Sequence, residues 1–353
     1  MSKDGPTLEF ERAMLSGSHA EFTQAAEALR AKGCDPDFAD LMDAHGLRLS
    51  GDLEGARALF DRIARSGSTP PLQVRATAGL AWVLRQQGRL HDALSALQRV
   101  EDHALAGEAP ERASWAHQLA SCLLFAGRID EARMAARMGM RGAPKLSRAF
   151  LLEVDGRTRR ADGDLHSAEQ QLREAFDIFR DAGATEPAAN ALTNVADVVR
   201  ELGRFDEARV LLEGARACYV ELDEDHGELG TVDFNLGLLA LDRGDRPLAR
   251  QHFDRALPRL ERRRVFLGAT HLGLAVVASE NIEPSVCARH AQRALAELRG
   301  QGFYDRDLLA MAIRAVRGPG AKNDRELWTL ILEQAMGLGD EDVAAAARAA
   351  LSG

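Results

Sequence analysis

Apolar residues recur along this chain with helical spacing, and the helical stretches end on glycine at a regular interval. Gly17, Gly51, Gly88, Gly127, Gly163, Gly203 and Gly244 follow one another at 34, 37, 39, 36, 40 and 41 residues. Periods of this size mark stacked supersecondary units. Five residues after the glycine stands alanine in six consecutive units: Ala56, Ala93, Ala132, Ala168, Ala208 and Ala249. Seven residues before it the residue is again small: Ala44, Ala81, Ala120, Gly156, Ala196 and Gly237. The glycine supplies a positive φ that ends one helix and reverses the chain. The two small residues lie in the helices on either side and let them approach closely. Large apolar residues fill the remaining core positions of the second helix: Phe60, Leu97, Leu172, Leu212 and Phe253 nine residues after the glycine, with Ala136 as the exception. The pattern predicts an all-α chain of antiparallel helix pairs.

Departures from the pattern predict local differences. Asp155 and Arg159 replace apolar residues in the fourth unit, so its first helix is expected to be tilted or short. Arg246-Pro247 stands where the others carry an apolar plug, and proline suits a helix start. The leading unit has Phe22 in place of alanine. A seventh unit, HLGLAVVASENIEPSVCARHAQRALAEL (271–298), has lost its glycine to Glu280 and is expected to start its second helix at Pro284. The tail predicts helices near 305–316 and 324–336, a break at Gly318-Pro319-Gly320 and a last helix N-capped by Asp340.

The best copies, NALTNVADVVRELGRFDEARVLLEGA (190–215) and TVDFNLGLLALDRGDRPLARQHFDRAL (231–257), resemble the tetratricopeptide repeat (TPR). The long period is similar to the arrays of bacterial maltose-activator-type regulators and signalling ATPases. No P-loop or separate helix-turn-helix accompanies it. The resemblance implies a right-handed superhelical solenoid. Its expected parts are a degenerate N-terminal unit or cap (1–35), six repeats (36–262), a degenerate seventh (263–300) and a C-terminal helical cap (301–353), since terminal repeats must cover an apolar edge.

The resemblance also implies a binding surface. With the glycine counted as position 15, groove contacts in the family come from first-helix positions 2, 5, 6, 9, 12 and 13. Position 12 holds Arg48, Arg85, Arg160 and Arg200 in four of six units. This reads either as a basic ladder for an acidic peptide, where arginine binds carboxylate bidentately, or as cations favoured by the helix macrodipole. Asn194 and Asn235 occupy position 6. Their amides either pair with a peptide backbone or bond to the neighbouring repeat. Asn190, Asp197, Arg157 and Phe234 extend the same faces, although Glu153, one turn before Arg157, could equally neutralise it and weaken a basic groove there. Trp82, His117 and Phe125 are candidate aromatic anchors, although Trp82 could equally pack on the adjoining helix.

Composition narrows the picture. A net charge of −9 disfavours non-specific nucleic-acid binding, and an arginine-lined interior would mean segregated charge. Only four of the 45 basic residues are lysine (Lys3, Lys32, Lys145, Lys322), the bias of a GC-rich genome. No apolar run has the length of a membrane span, and the N-terminal residues lack a secretory core. Cys34, Cys122, Cys218 and Cys287 lie too far apart for metal knuckles or redox pairs and read as thiols of a reducing cytoplasm. The ten histidines form no metal-ligand spacing, and no GxSxG, HExxH or GxGxxG occurs. No cofactor is expected. The run Glu221/Asp223/Glu224/Asp225 reads as a solvated loop, and Arg262-Arg263-Arg264 as a solvated helix edge. The expectation is a non-enzymatic, cytoplasmic scaffold or adaptor that captures a protein or peptide. The alternative is a regulatory sensor for a signal peptide or small molecule. An enzymatic site on the tail would need Asp305, Asp307 and Arg314 to converge on a pocket.

Overall fold

The computed structural model describes residues 19–222, 227–261, 263–281, 283–299, 305–318 and 324–352. Gly17, the acidic run at 223–225, Arg262 and Pro319-Gly320 lie outside them.

Nineteen α-helices follow one another among the described residues. In chain order they are α1 (His19–Ala31), α2 (Pro36–Leu49), α3 (Leu53–Ser66), α4 (Pro70–Gln86), α5 (Leu90–Arg99), α6 (Glu101–Ala106) and α7 (Ala109–Phe125). Next come α8 (Ile129–Met140), α9 (Lys145–Ala161), α10 (Leu165–Asp181), α11 (Thr185–Glu201), α12 (Phe205–Leu222) and α13 (Glu228–Asp242). The last are α14 (Arg246–Ala256), α15 (Arg264–Glu280), α16 (Pro284–Leu298), α17 (Arg306–Val316), α18 (Arg325–Leu338) and α19 (Glu341–Ser352). The first helices of the six glycine-aligned pairs are α2, α4, α7, α9, α11 and α13.

The turns are built as the pattern predicts. The glycines from Gly51 to Gly244 take φ between 71° and 83°, a region that costs any residue with a Cβ. The helix that follows is started in one of two ways. Asp52, Asp164 and Asp245 accept the backbone N–H three residues on, at 2.9, 3.3 and 3.1 Å. Where arginine follows the glycine, it pairs instead with an acidic residue three positions ahead: Arg89 with Asp92, Arg128 with Glu131 and Arg204 with Glu207. That acidic residue also sits in the first turn, where the macrodipole favours it.

The repeated alanines are fully buried. Small residues seven before the glycine are set by close approach: a Cβ on Gly237 would fall 2.5 Å from the Phe253 ring, and one on Gly156 2.7 Å from Leu172 Cγ.

Of the two outcomes expected for the fourth unit, a short first helix is not found: α9 runs for 17 residues. Asp155 is 3% exposed, but Arg159 one turn later donates to it at 2.7 Å, and Arg137 of α8 lies 3.6 Å away. The two polar departures neutralise each other, so the helix keeps its register.

The chain divides into two compact units. The first comprises Met1–Leu124 with Arg128–Ala191, and the second Phe125–Gly127 with Leu192–Gly353. In the first unit Phe22, Phe60, Leu97, Trp115 and Phe179 are fully buried, and the Trp115 indole N–H donates to Leu97 O at 2.9 Å.

In the second unit a single apolar core runs from α13 to α19. Every residue from Leu229 to Leu241 is buried, as is every residue from Gly268 to Ser279, so α13 and α15 are enclosed on all sides. Helix α17 helps to enclose them. Its Leu308, Leu309, Met311, Ala312, Ala315 and Val316 belong to the same core. Its polar groups reach the C-terminal ends of three first helices. Asp307 lies 3.5 Å from Arg200 of α11. Arg314 donates to Leu241 O of α13 at 3.3 Å and to Glu280 of α15 at 2.5 Å. The Ser279 hydroxyl donates to Ala315 O at 2.7 Å. Pro284 opens α16, Asp305 and Asp324 cap α17 and α18, and Asp340 accepts the Val343 N–H at the start of α19.

Candidate functional site

In the first unit the first helices turn a polar and aromatic face toward one another. The Arg48 guanidinium of α2 lies over the Trp82 ring of α4, 4.7 Å from its centroid. Burial lowers the pKa of Arg48, and the charge of Glu186, at the start of α11, acts in the opposite direction. Helices α2 and α11 are separated by three helix pairs in sequence. No ion pair ties Arg48 to a carboxylate among the described residues.

One turn after Trp82, Arg85 faces His117 of α7, and so does Arg157 of α9. Burial, then these two arginines, push the His117 imidazole down to about 3. The ring also packs on Phe150 of α9, with centroids 5.3 Å apart. Deeper in α2, His45 is held well below the usual histidine range by burial, then by Arg48 and Arg75. Both imidazoles are therefore neutral at pH 7, and the positive charge of this face is carried by guanidinium alone. Arg75 is already matched: it donates to Glu111 at 2.7 Å, with both side chains largely buried. Burial raises the thiol of Cys122 to about 11, with Arg85 pulling the other way.

The structure thus brings together Arg48, Trp82, Arg85, His117 and Arg157. Arg160 follows Arg157 by one turn on α9, and Asn190 follows Glu186 by one turn on α11; both are half-buried. Phe125, at the end of α7, groups with the second unit, as do the half-buried Asn194 and Asp197.

Three residues are placed differently from the open groove the sequence suggests. Arg200 is 8% exposed, with Asp242 at 2.5 Å and Asp307 at 3.5 Å. Phe234 and Asn235 are 6% and 4% exposed, and Phe234 packs among Phe253 and Phe266. All three lie within the enclosed part of the second unit.

The tail residues considered for an enzymatic site are also engaged. Asp305 caps α17, Asp307 faces Arg200, and Arg314 pairs with Glu280. Arg263, expected on a solvated edge, binds Glu228 at 2.5 Å and Thr231 at 2.9 Å and stacks on Phe266.

Sequence reasoning passed over Phe150 and Glu186. Phe150 holds position 2 of its unit, a lining position the repeat itself marks. Glu186 lies before the repeat frame and carried no signal. Also unforeseen is Asp233, 1% exposed in α13, with Arg216 at 3.1 Å, Arg259 at 3.6 Å and His252 at 3.7 Å.

Comparison with known proteins agrees with this architecture. Residues 187–262 match the family model described as tetratricopeptide repeat, and residues 8–153 the tetratricopeptide repeat-like domain. The chain is a protein of the tetratricopeptide-repeat type. Among solved structures it is similar to a Rap protein complexed with competence and sporulation factor, at 13% identity and a TM-score of 0.66, covering 98% of this chain and 96% of that one. It is also similar to the human IFIT1 dimer with PPP-AAAA, at 12% identity and a TM-score of 0.56, covering 94% and 77%. A tetratricopeptide repeat protein from Parabacteroides merdae matches at 15% identity and a TM-score of 0.51, covering 79% and 98%. No curated protein matches the sequence. No helix among the described residues is long and apolar enough to cross a membrane.

Proposed function

We propose that this protein is a non-enzymatic, cytoplasmic scaffold or adaptor that captures a protein or peptide on the first-helix face of its first unit. The observation that carries the reading is the Arg48 guanidinium lying over the Trp82 ring. A half-buried guanidinium without an ion-pair partner among the described residues, lying against a half-buried aromatic, is the composition of an interface anchor rather than of a closed core. Arg85, His117 and Arg157 continue the face, and the packed helix pairs hold it in place before any partner arrives, which lowers the cost of ordering on binding. The reading leaves Arg200, Phe234 and Asn235 with structural tasks.

The similar Rap structure is itself a complex with competence and sporulation factor. That supports a second form of the same reading, in which a bound signal is passed on to a further protein.

The test is selection of a random decapeptide display library on the immobilised full-length chain. Peptide families should enrich on the native protein and vanish on a Trp82→Ala/Arg85→Ala variant that retains its helicity. Absence of any family enriched above the bare support refutes the reading.

A further inference from the structure

Two side-chain clusters in this chain follow one plan, and only one of them has enough acid for its arginines. Position 4 of the repeat frame holds Asp40 in the first glycine-aligned pair and Asp233 in the last. Each carboxylate meets one arginine from the helix before it and one from the chain that closes its own pair. In the first unit these are Arg30 of α1 and Arg62 of α3, at 2.8 and 2.5 Å from Asp40. In the second unit they are Arg216 of α12, at 3.1 Å from Asp233, and Arg259, at 3.6 Å. Arg259 ends the short 3-10 turn Leu257–Arg259 that follows α14.

The charge counts differ. Asp37 and Asp43 stand one turn to either side of Asp40 and pair with the same two arginines, so three carboxylates meet two guanidiniums. The matching places around Asp233 hold Gly230 and Leu236. There two guanidiniums share one carboxylate, and neither has another ion-pair partner among the described residues. His252 of α14, 3.7 Å from Asp233, adds no acid. Nor is there room for one at Gly230: a Cβ there would lie 2.9 Å from Arg259 Cβ and 2.9 Å from Leu260 Cγ.

We propose that Arg216 and Arg259 form a site for a small oxyanion, a phosphate or carboxylate from outside the chain that takes the place of the missing acid. Asp233 is the floor, 1% exposed, and it fixes both guanidiniums. The arginine side chains are the rim, 37% and 33% exposed, so an anion reaches them from solvent. In both, the approach to Asp233 is made through Nη1. The remaining donors of each planar fork suit the paired oxygens of a second anion. Two cations against one carboxylate leave a single net positive charge, which matches one small anion rather than a phosphate chain. A bound anion would tie α12 to the turn after α14 and so stabilise the second unit. Position 4 is not a lining position of the first-helix face, and this site stands or falls independently of the capture reading above.

The experiment is a titration of the native full-length chain with inorganic phosphate, acetate and succinate, read by melting temperature. Ionic strength is held constant with sodium chloride, which is also the control. Phosphate or a carboxylate should raise the melting temperature along a saturating curve, by about 3–6 °C at ten times the half-saturating concentration. The stronger of the two identifies the source. Arg216→Gln with Arg259→Gln should weaken binding at least about 10-fold, as expected when charge-assisted hydrogen bonds are lost. Arg62→Gln, in the cluster that has its own acid, should leave it unchanged. Asp233→Asn keeps the shape of the floor and removes the competing charge, so it should bind the same anion several-fold more tightly.

A response no different from that to chloride overturns the proposal, as does binding that survives the loss of both arginines. Equal loss in Arg62→Gln marks general surface association and overturns it too. Weaker binding by Asp233→Asn refutes the charge count on which the site rests. The native titration and the Asp233→Asn variant decide the matter even where the double variant does not fold.

Discussion

The Phe253 ring occupies a slot between two glycines of neighbouring first helices. A Cβ on Gly237 of α13 would fall 2.5 Å from the ring, and a Cβ on Gly273 of α15 2.6 Å from it. Carbon atoms in contact lie about 3.5–4.0 Å apart, so Gly237→Ala demands a displacement of roughly 1 Å. The ring cannot yield it, because the opposite wall is equally close. Overpacking of this kind costs about 1–3 kcal/mol. Alanine returns up to about 1 kcal/mol through its better helix propensity. The net expectation is a loss of about 1–2 kcal/mol from a substitution that would stabilise an exposed helix. Phe253→Leu should cost about 1–2 kcal/mol alone by vacating part of the slot. Combined, the two should cost at least about 1 kcal/mol less than their sum, since the new methyl enters the space the ring vacates. Urea titrations followed by circular dichroism, with limited proteolysis to confirm that the second unit is the part affected, measure the cycle. Additive costs, or a Gly237→Ala variant as stable as the native protein, would refute the argument that a ring wedged between glycines sets this helix spacing.

Two further outcomes follow from buried charge. Asp233→Ala should destabilise the second unit by about 1–3 kcal/mol, because it removes the buried carboxylate shared by Arg216 and Arg259, whose half-exposed guanidiniums recover part of the loss by turning to solvent; the urea midpoint reads this. His117 has a folded pKa of about 3 against about 6.5 unfolded, so between those values the unfolded chain binds the extra proton. Its contribution to stability is complete above pH 6.5 and falls as the pH falls, by about 2 kcal/mol at pH 5. The depressed His45, His271 and His290 act in the same direction, so the informative quantity is a difference: His117→Gln should lose about 2 kcal/mol less than the native protein between pH 7 and pH 5, and parallel profiles would contradict the assignment.

The repeat frame was legible because it depends on local rules. A glycine at positive φ and two small residues at fixed distances specify a helix pair almost without regard to the rest of the chain. The same locality explains Pro284 and Asp340, each of which starts a helix as read. The shortening expected as one outcome for α9 is not found because hydropathy scores Asp155 and Arg159 separately, whereas the helix places them one turn apart and in contact. For the site, the lining positions of the first unit were readable from the repeat, and Phe150 was available at one of them. Those of the second unit misled because repeat position does not report what covers a face. A signal existed: TVDFNLGLLAL and FLGATHLGLAVVAS are apolar nearly all round, and a helix of that kind is enclosed on every side, whereas LLEVDGRTRRA keeps a polar flank. The contacts of Asp307 and Arg314 join residues far apart in sequence, and no local pattern announces them.

The position of α17 has a consequence for synthesis. The helices it covers, α13 and α15, leave the ribosome before it does, with a nearly continuous apolar surface on each. Helices α14 and α16 emerge in time to cover one side of each, but until residues beyond 305 appear the side that α17 covers has no partner from its own chain, whereas the pairs of the first unit can close as they appear. Birth of this protein is therefore vectorial in its first half and delayed in its second. A nascent chain stalled near residue 300 would be a client for any chaperone that reads exposed leucine and valine.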